Sequence, residues 1–287
     1  MNLGNRIGLG ACSEVFEWGS DKIVKLYRSN TTRDAAKLEY LNSVAAWESG
    51  LPVPKPYGEI EVEGRPGIIF EKIVGTTITE MMLAKLLNNR LQDPHEEDVS
   101  DISIIAGLLH DIHSRRIPGF HTDQVEALKA NIAHTARLAS EERRQVADYL
   151  DRLPVGHSVC HGDPNPYNVM MRNGNPVMLD WMGAYIGNPA ADIAEFILTC
   201  RYGVLPSETP SFVAERVNAS RKMIAKVFVE SYKSISGMQD EEIEAWIVPL
   251  AVCKLNGEGM TEEQYAELTS YIRQRMASWK TGDELSS

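Results

Sequence analysis

Short bursts of alternating apolar and polar residues open the chain, and apolar positions at helical spacing fill most of the remainder. The alternation predicts strands near 5–10, 14–18 and 22–27. A helix is expected near 32–49, then strands near 57–62 and 66–72 joined by a turn at Glu63-Gly64. The run Gly50-Leu51-Pro52-Val53-Pro54-Lys55-Pro56 stops that helix, because proline lacks an amide donor and disfavours helical geometry in the residue before it. Helices follow at Thr77–Asn88 and Val99–Ser114; in the second, Ile102, Ile105, Leu108, Leu109 and Ile112 recur on one face. Thr122–His134 and Ser140–Leu150 read as a polar helical pair, with Ser140 as N-cap. Short strands are expected near 157–160, 169–171 and 176–180, the last two joined by a turn at Asn173-Gly174. Helices near 191–202, 210–235, 239–256 and 261–279 precede a loose tail, Thr281 to Ser287. The pattern is α+β, with a small antiparallel sheet first, mostly helix afterwards, and no internal repeat.

One strand breaks its own pattern. In Lys22-Ile23-Val24-Lys25-Leu26-Tyr27 the alternation puts Ile23, Lys25 and Tyr27 on one face. A lysine inside an apolar run sits at a sheet margin or is held for an anion such as a phosphate. In the following helix, Glu39 has apolar neighbours Leu38 and Leu41. It either faces solvent or turns inward, where it can pair with Lys25. Upstream, Gly8-Leu9-Gly10 opens a small-residue turn running to Ser13 that lets backbone approach phosphates closely, although a plain hairpin would look the same.

The densest chemistry lies in His161-Gly162-Asp163-Pro164-Asn165-Pro166-Tyr167-Asn168, followed by Asp180. Two carboxylates and an amide at this spacing suit activation of an acceptor hydroxyl beside a magnesium nucleotide. Asp163 is placed to accept a proton, and Asn168 and Asp180 offer the hard oxygen ligands that Mg²⁺ prefers.

Taken in order, the glycine loop, strand lysine, helix glutamate, His-Gly-Asp loop and Leu179-Asp180-Trp181 resemble the aminoglycoside phosphotransferase and choline kinase superfamily, the small-molecule branch of the protein-kinase-like fold. Leu109-His110-Asp111-Ile112-His113 and Gly187-Asn188-Pro189-Ala190-Ala191-Asp192 extend the likeness, which runs from about residue 5 to 195. The resemblance implies a bilobal fold: a nucleotide-binding N-lobe over 1–73, and a helical C-lobe over 74–287 with a helical insertion at about 122–152. It implies ATP and Mg²⁺ as cofactors. Gly8, Gly10 and Ser13 would lie over the triphosphate, with Lys25 on its inner phosphates, Glu39 holding Lys25, and backbone around Glu71 and Ile73 meeting adenine. Asn168 and Asp180 would hold the metal, and Asp163 would be the catalytic base. His161 and one of His110 and His113 become structural braces, and Asp192 a buttress for the loop.

The departures narrow the activity. Gly162 stands where protein kinases carry arginine, and Trp181-Met182 follows the metal aspartate in place of Phe-Gly. A small acceptor is expected, not a protein. An aminoglycoside or similar amino sugar leads, with antibiotic resistance a candidate role. Choline, a sugar or another metabolite is the alternative, and a non-catalytic nucleotide-binding regulator stands further off. Net charge of −11 disfavours nucleic acid and acidic membranes as partners and is compatible with a cationic acceptor. Glu195, Asp240, Glu241, Glu244, Glu258, Glu262 and Glu263 are candidates for holding ammonium groups, and Trp181, Tyr185, Trp246 and Tyr265 for a quaternary-ammonium cage. Four scattered cysteines without a Cys-x-x-Cys pair, and no apolar leader before Gly8, point to the cytoplasm.

Overall fold

The computed structural model describes residues 3–88, 93–120, 122–205, 209–257 and 259–279. Its first five strands are β1 (Arg6–Leu9), β2 (Ser13–Trp18), β3 (Lys22–Tyr27), β4 (Pro56–Val62) and β5 (Arg65–Glu71), and they form an antiparallel sheet ordered β1-β2-β3-β5-β4. Tight turns set the register. Glu63 and Gly64 both take positive φ (52° and 79°), as a two-residue hairpin requires, and Val62 pairs with Arg65. The first helix, α1 (Arg33–Glu48), starts where Thr32 accepts a hydrogen bond from the Ala35 amide and ends before Gly50 at φ 74°. Central β3 pairs with both β2 and β5, so Val15, Lys25 and Ile68 lie side by side.

The rest of the chain is mainly helical: α2 (Ile78–Asn88), α3 (Ile102–His113), α4 (Gln124–Ala133), α5 (Ser140–Leu150), α6 (Ala190–Tyr202), α7 (Ser211–Ser236), α8 (Asp240–Lys254) and α9 (Glu262–Trp279). The apolar face read for α3 is buried throughout. Each fully buried large apolar side chain contributes about 1.5–3 kcal/mol, and Trp181, Trp246, Phe196 and Phe228 all fall in this core. Among the described residues, no helix is long and apolar enough to cross a membrane.

The elements that carry chemistry are the short ones. Strand β7 (Ser158–Cys160) pairs with β10 (Tyr185–Gly187), while β6 (Thr76–Thr77), β8 (Val169–Arg172) and β9 (Asn175–Met178) form a second small sheet. Asn173 and Gly174 make the β8–β9 turn with positive φ of 50° and 80°. Two expectations shift. Ser140 is the first helical residue of α5 and not its cap; the Ala139 amide donates instead to Glu142 at 2.7 Å. The last strand stops at Met178, because Asp180 leaves extended geometry with φ 59°. The tail Thr281–Ser287 and Glu258 lie outside the described residues.

Candidate active site

The polar break in β3 is where the site begins. Lys25 is 8% exposed, and its Nζ lies 2.7 Å from Glu39 Oε1 and 2.8 Å from Asp180 Oδ1. Glu39 therefore turns inward from α1. Its second oxygen accepts the Tyr27 hydroxyl at 2.5 Å, so β3 supplies both donors that hold it. Burial alone would push the Lys25 ammonium down, but the two carboxylates outweigh it and hold it above its ordinary value. Burial pushes the Asp180 carboxyl up; Lys25, His161 and a backbone amide prevail and hold it below its ordinary value. Asp180 keeps 40% of its side chain open. Its left-handed backbone, which aspartate tolerates better than most residues, directs the carboxylate back toward Lys25. The turn is fastened by the Leu179 amide on Asn168 O (2.7 Å) and by His161 Nε2 on Leu179 O (2.8 Å).

Downstream of β7 the His-Gly-Asp loop is over-determined. Gly162 sits at φ 80°, and a Cβ there would come within 2.1 Å of Gly183 O, so no other residue fits. Asp163 Oδ1 accepts from Asn165 Nδ2 at 2.8 Å and Oδ2 from Asn168 Nδ2 at 3.1 Å. Asn168 Nδ2 also reaches Asp163 O at 3.0 Å, so its amide nitrogen is committed and its oxygen is left for a cation. Beneath the loop Asp192, with no exposed surface, accepts four bonds. They come from His161 N (2.7 Å), Gly162 N (2.9 Å), His113 Nε2 (3.0 Å) and Tyr185 Oη (3.3 Å). His113 Nδ1 in turn meets the Tyr232 hydroxyl at 2.7 Å. Burial works against ionisation of Asp192, but His113, His161 and the loop amides hold it below the usual carboxylate value. His113, Cys160 and Asp192 lie close enough to suggest a metal triad. Every Asp192 oxygen already faces N–H or O–H donors, so the group is a hydrogen-bonded brace.

Between the sheet and these loops lies a cleft of 460 Å³. Gly8, Gly10, Ser13, Lys25, Glu39, Glu71, Ile73, Asn168 and Asp180 all line it. Ile7, Val15, Ile23 and Phe70 form one apolar wall, and Met170 and Leu179 contribute from the other side. The glycine turn is closed by Gly10 N on Ser13 O at 2.8 Å. Asp163 is not part of the lining; it is joined to the cleft through Asn168. The side chain of Glu71 has a task the sequence did not show. It accepts from Arg172 at 3.0 Å and from the Lys55 amide at 3.3 Å, while its own amide is spent on Lys55 O. The Glu71 N–H is thus unavailable to a base, and what Glu71 has left for adenine is on its carbonyl side, next to Ile73.

Several contributors escaped sequence reasoning. Tyr27 could have been found, since it shares the Lys25 face; Asn165 lies in the loop itself, two residues after Asp163. Arg172 and Tyr232 carry no local signal, because their partners lie far along the chain. The acidic candidates are mostly engaged: Glu195 with Lys254 (3.0 Å), Asp240 with Lys233 (2.6 Å), Glu244 with Arg275 (3.1 Å) and Glu262 with Arg137 (2.9 Å). The aromatic candidates form no cage. Trp181 and Trp246 are core residues, Tyr185 binds Asp192, and Tyr265 is buried under Arg137, 3.6 Å from its ring centroid.

Solved structures share this fold at low identity. A thermostable mutant of the aminoglycoside phosphotransferase APH(4)-Ia aligns with TM-score 0.57 and 15% identity, over 98% of this chain and 92% of that one. A choline/ethanolamine kinase family protein from Mesorhizobium loti aligns with TM-score 0.59 and 14% identity, over 95% and 87%. The amicoumacin kinase hAmiN, solved in complex with AMP-PNP, Ca²⁺ and Ami, aligns with TM-score 0.58 and 14% identity, over 96% and 88%. No functionally curated protein matches the sequence. The model of the phosphotransferase enzyme family matches residues 5–225, a stretch holding every residue of the cleft and the loop, and the chain belongs to that family.

Proposed function

We propose that this protein is an ATP-dependent kinase that phosphorylates a hydroxyl group of a small molecule. The observation that carries the reading is the join between two halves. The Asp163 carboxylate is bonded to the Asn168 amide, and Asn168 shares a cleft with Asp180 and the Lys25–Glu39 pair. The apolar walls suit an adenine, and the polar end suits its phosphates. Residues 1–73 would then serve as the nucleotide lobe and 74–287 as the acceptor lobe. The donor set fits Mg²⁺: a freed amide oxygen on Asn168 and a part-open carboxylate on Asp180 are hard oxygens facing the same space. When bound, the ion neutralises phosphate charge.

The chain's own residues do the rest. Lys25, kept charged by Glu39, holds inner phosphates, and the Gly8–Ser13 turn covers them. Asp163 orients the acceptor hydroxyl, with both carboxylate oxygens fixed by asparagine amides. The acceptor oxygen forms a bond to the γ-phosphorus as the bond to the β–γ bridging oxygen breaks. ADP departs with that electron pair, and the hydroxyl proton passes to Asp163. Positioning and charge neutralisation supply most of the acceleration in such a loose transition state.

An intact Lys25, Asp163, Asn168 and Asp180 speaks against a non-catalytic regulator, and the engagement of Trp181, Tyr185, Trp246 and Tyr265 elsewhere speaks against their forming a choline cage. Amino sugars and other hydroxyl metabolites remain acceptors of the right chemistry. The test is an acceptor screen with Mg-ATP over pooled aminoglycosides, amino alcohols, hydroxy acids, sugars and nucleosides, read by mass spectrometry for the mass of one added phosphate. A magnesium-dependent adduct supports the reading. ATP binding with no adduct in any pool would overturn it.

A further inference from the structure

The wall beside the catalytic loop carries an ion pair with unused valence. On α6, Glu195 lies one turn beyond Asp192, whose carboxylate holds the loop amides of His161 and Gly162, so Glu195 shares the helix face turned toward the loop. Lys254, the last residue of α8, reaches Glu195 Oε1 at 3.0 Å and Thr199 Oγ1 at 3.1 Å, and Thr199 donates to that same Oε1 at 3.1 Å. Both contacts to the Glu195 carboxylate use the same oxygen, and the third runs from Lys254 to the Thr199 hydroxyl. Glu195 Oε2 and the third N–H of Lys254 have no partner among the described residues, and the two side chains are 17% and 18% exposed. A cation acceptor and an anion donor thus stand side by side next to the loop that holds Asp163.

Resting on the kinase reading above, we propose that this pair is an acceptor subsite for a zwitterion: a hydroxy amino acid or a molecule ending in one, its ammonium on Glu195 and its carboxylate on Lys254. Binding such a group leaves the number of charges in the site balanced, whereas a lone carboxylate would face Glu195 and a lone ammonium would face Lys254. A polycation would need several spare carboxylates, and Asp240 and Glu244 of α8 and Glu262 of α9 already face cations of this chain. Burial, and to a smaller extent the nearby Asp163, push the Glu195 carboxyl up despite Lys254, so an added ammonium would favour its charged form.

Calorimetric binding to the full chain loaded with Mg-ADP tests this without requiring turnover. The probes are homoserine, its two halves 3-amino-1-propanol and 4-hydroxybutyrate, longer hydroxy amino acids, and a polycationic aminoglycoside. A zwitterion should bind roughly 10- to 100-fold tighter than either half, the range set by a charged hydrogen bond. Lys254→Met should abolish the advantage over the aminopropanol, and Glu195→Gln the advantage over the hydroxybutyrate. The proposal is overturned if the halves bind as well as the zwitterion, if the aminoglycoside binds tightest, or if no zwitterion binds. It also falls if Lys254→Met lowers Tm yet leaves the selectivity intact, which would make the pair a bridge between α6 and α8 only. Selective binding without phosphate transfer would instead count against the kinase reading and leave the subsite standing.

Discussion

Replacing Asp192 with asparagine should cost this protein a large share of its stability and, separately, disorganise its catalytic loop. The wild-type carboxylate is fully buried and accepts two backbone amides, a histidine N–H and a tyrosine hydroxyl. An amide in its place offers one acceptor oxygen and one NH₂ group, and whichever way it turns, donors face donors on one side. Hydrogen bonds to a charged group contribute about 1.5–3 kcal/mol each, and stranding a buried donor costs about 1–3 kcal/mol. Partial relaxation brings the expected loss to about 3–5 kcal/mol, the range for breaking a buried charged network. A domain this size holds about 5–15 kcal/mol in total, so the variant should still fold at low temperature. Urea unfolding followed by circular dichroism measures the stability. Turnover per folded molecule should fall as well, because the His161 and Gly162 amides that set the position of Asp163 lose their anchor. A stability change below about 1 kcal/mol with normal turnover would refute the reasoning.

Two further expectations follow from the same groups. Asn165→Ala frees one oxygen of Asp163, so the carboxylate can rotate; kcat should drop about tenfold with the nucleotide KM unchanged, and an unaltered kcat would remove Asn165 from this role. Asp180 and Asp192 are both held below the ordinary carboxylate value. Their stabilisation is therefore complete above the unfolded aspartate value of ~3.9 and is lost as pH falls through the folded values. Urea midpoints measured from pH 7 down to 3 should decline at the acid end, less steeply in Asp192→Asn, and a flat wild-type profile would contradict this.

How much could be read from the sequence depended on how local each signal was. Lys25 was legible because a lysine interrupts an apolar strand, and the His161–Asn168 loop because its residue types are dense and closely spaced. Glu39 was ambiguous on its helix; only a partner on β3 resolves it, and the sheet supplies two, Lys25 and Tyr27. The strands Thr76–Thr77 and Tyr185–Gly187 are too short to show a period, yet they pair with the segments on either side of the loop. Partners set by packing left no trace. Tyr232 meets His113, Arg172 meets Glu71, and Lys254 meets Glu195 across separations that no local pattern encodes. The misplaced cap at Ser140 has a similar cause: Glu142 satisfies the amide of Ala139, so the helix begins one residue earlier than a serine signal suggests.

Phosphate transfer by the Asp163 loop is the central claim, and ³¹P NMR reads it directly. Wild type and Asp163→Asn would each be given Mg-ATP and the pooled hydroxyl acceptors, with nucleotide binding confirmed for both by titration. The wild type should move the γ-phosphate into a phosphomonoester resonance, and the variant should bind nucleotide yet leave ATP intact. Equal ester formation by the two proteins, or none by a wild type that binds Mg-ATP in full, would contradict the account.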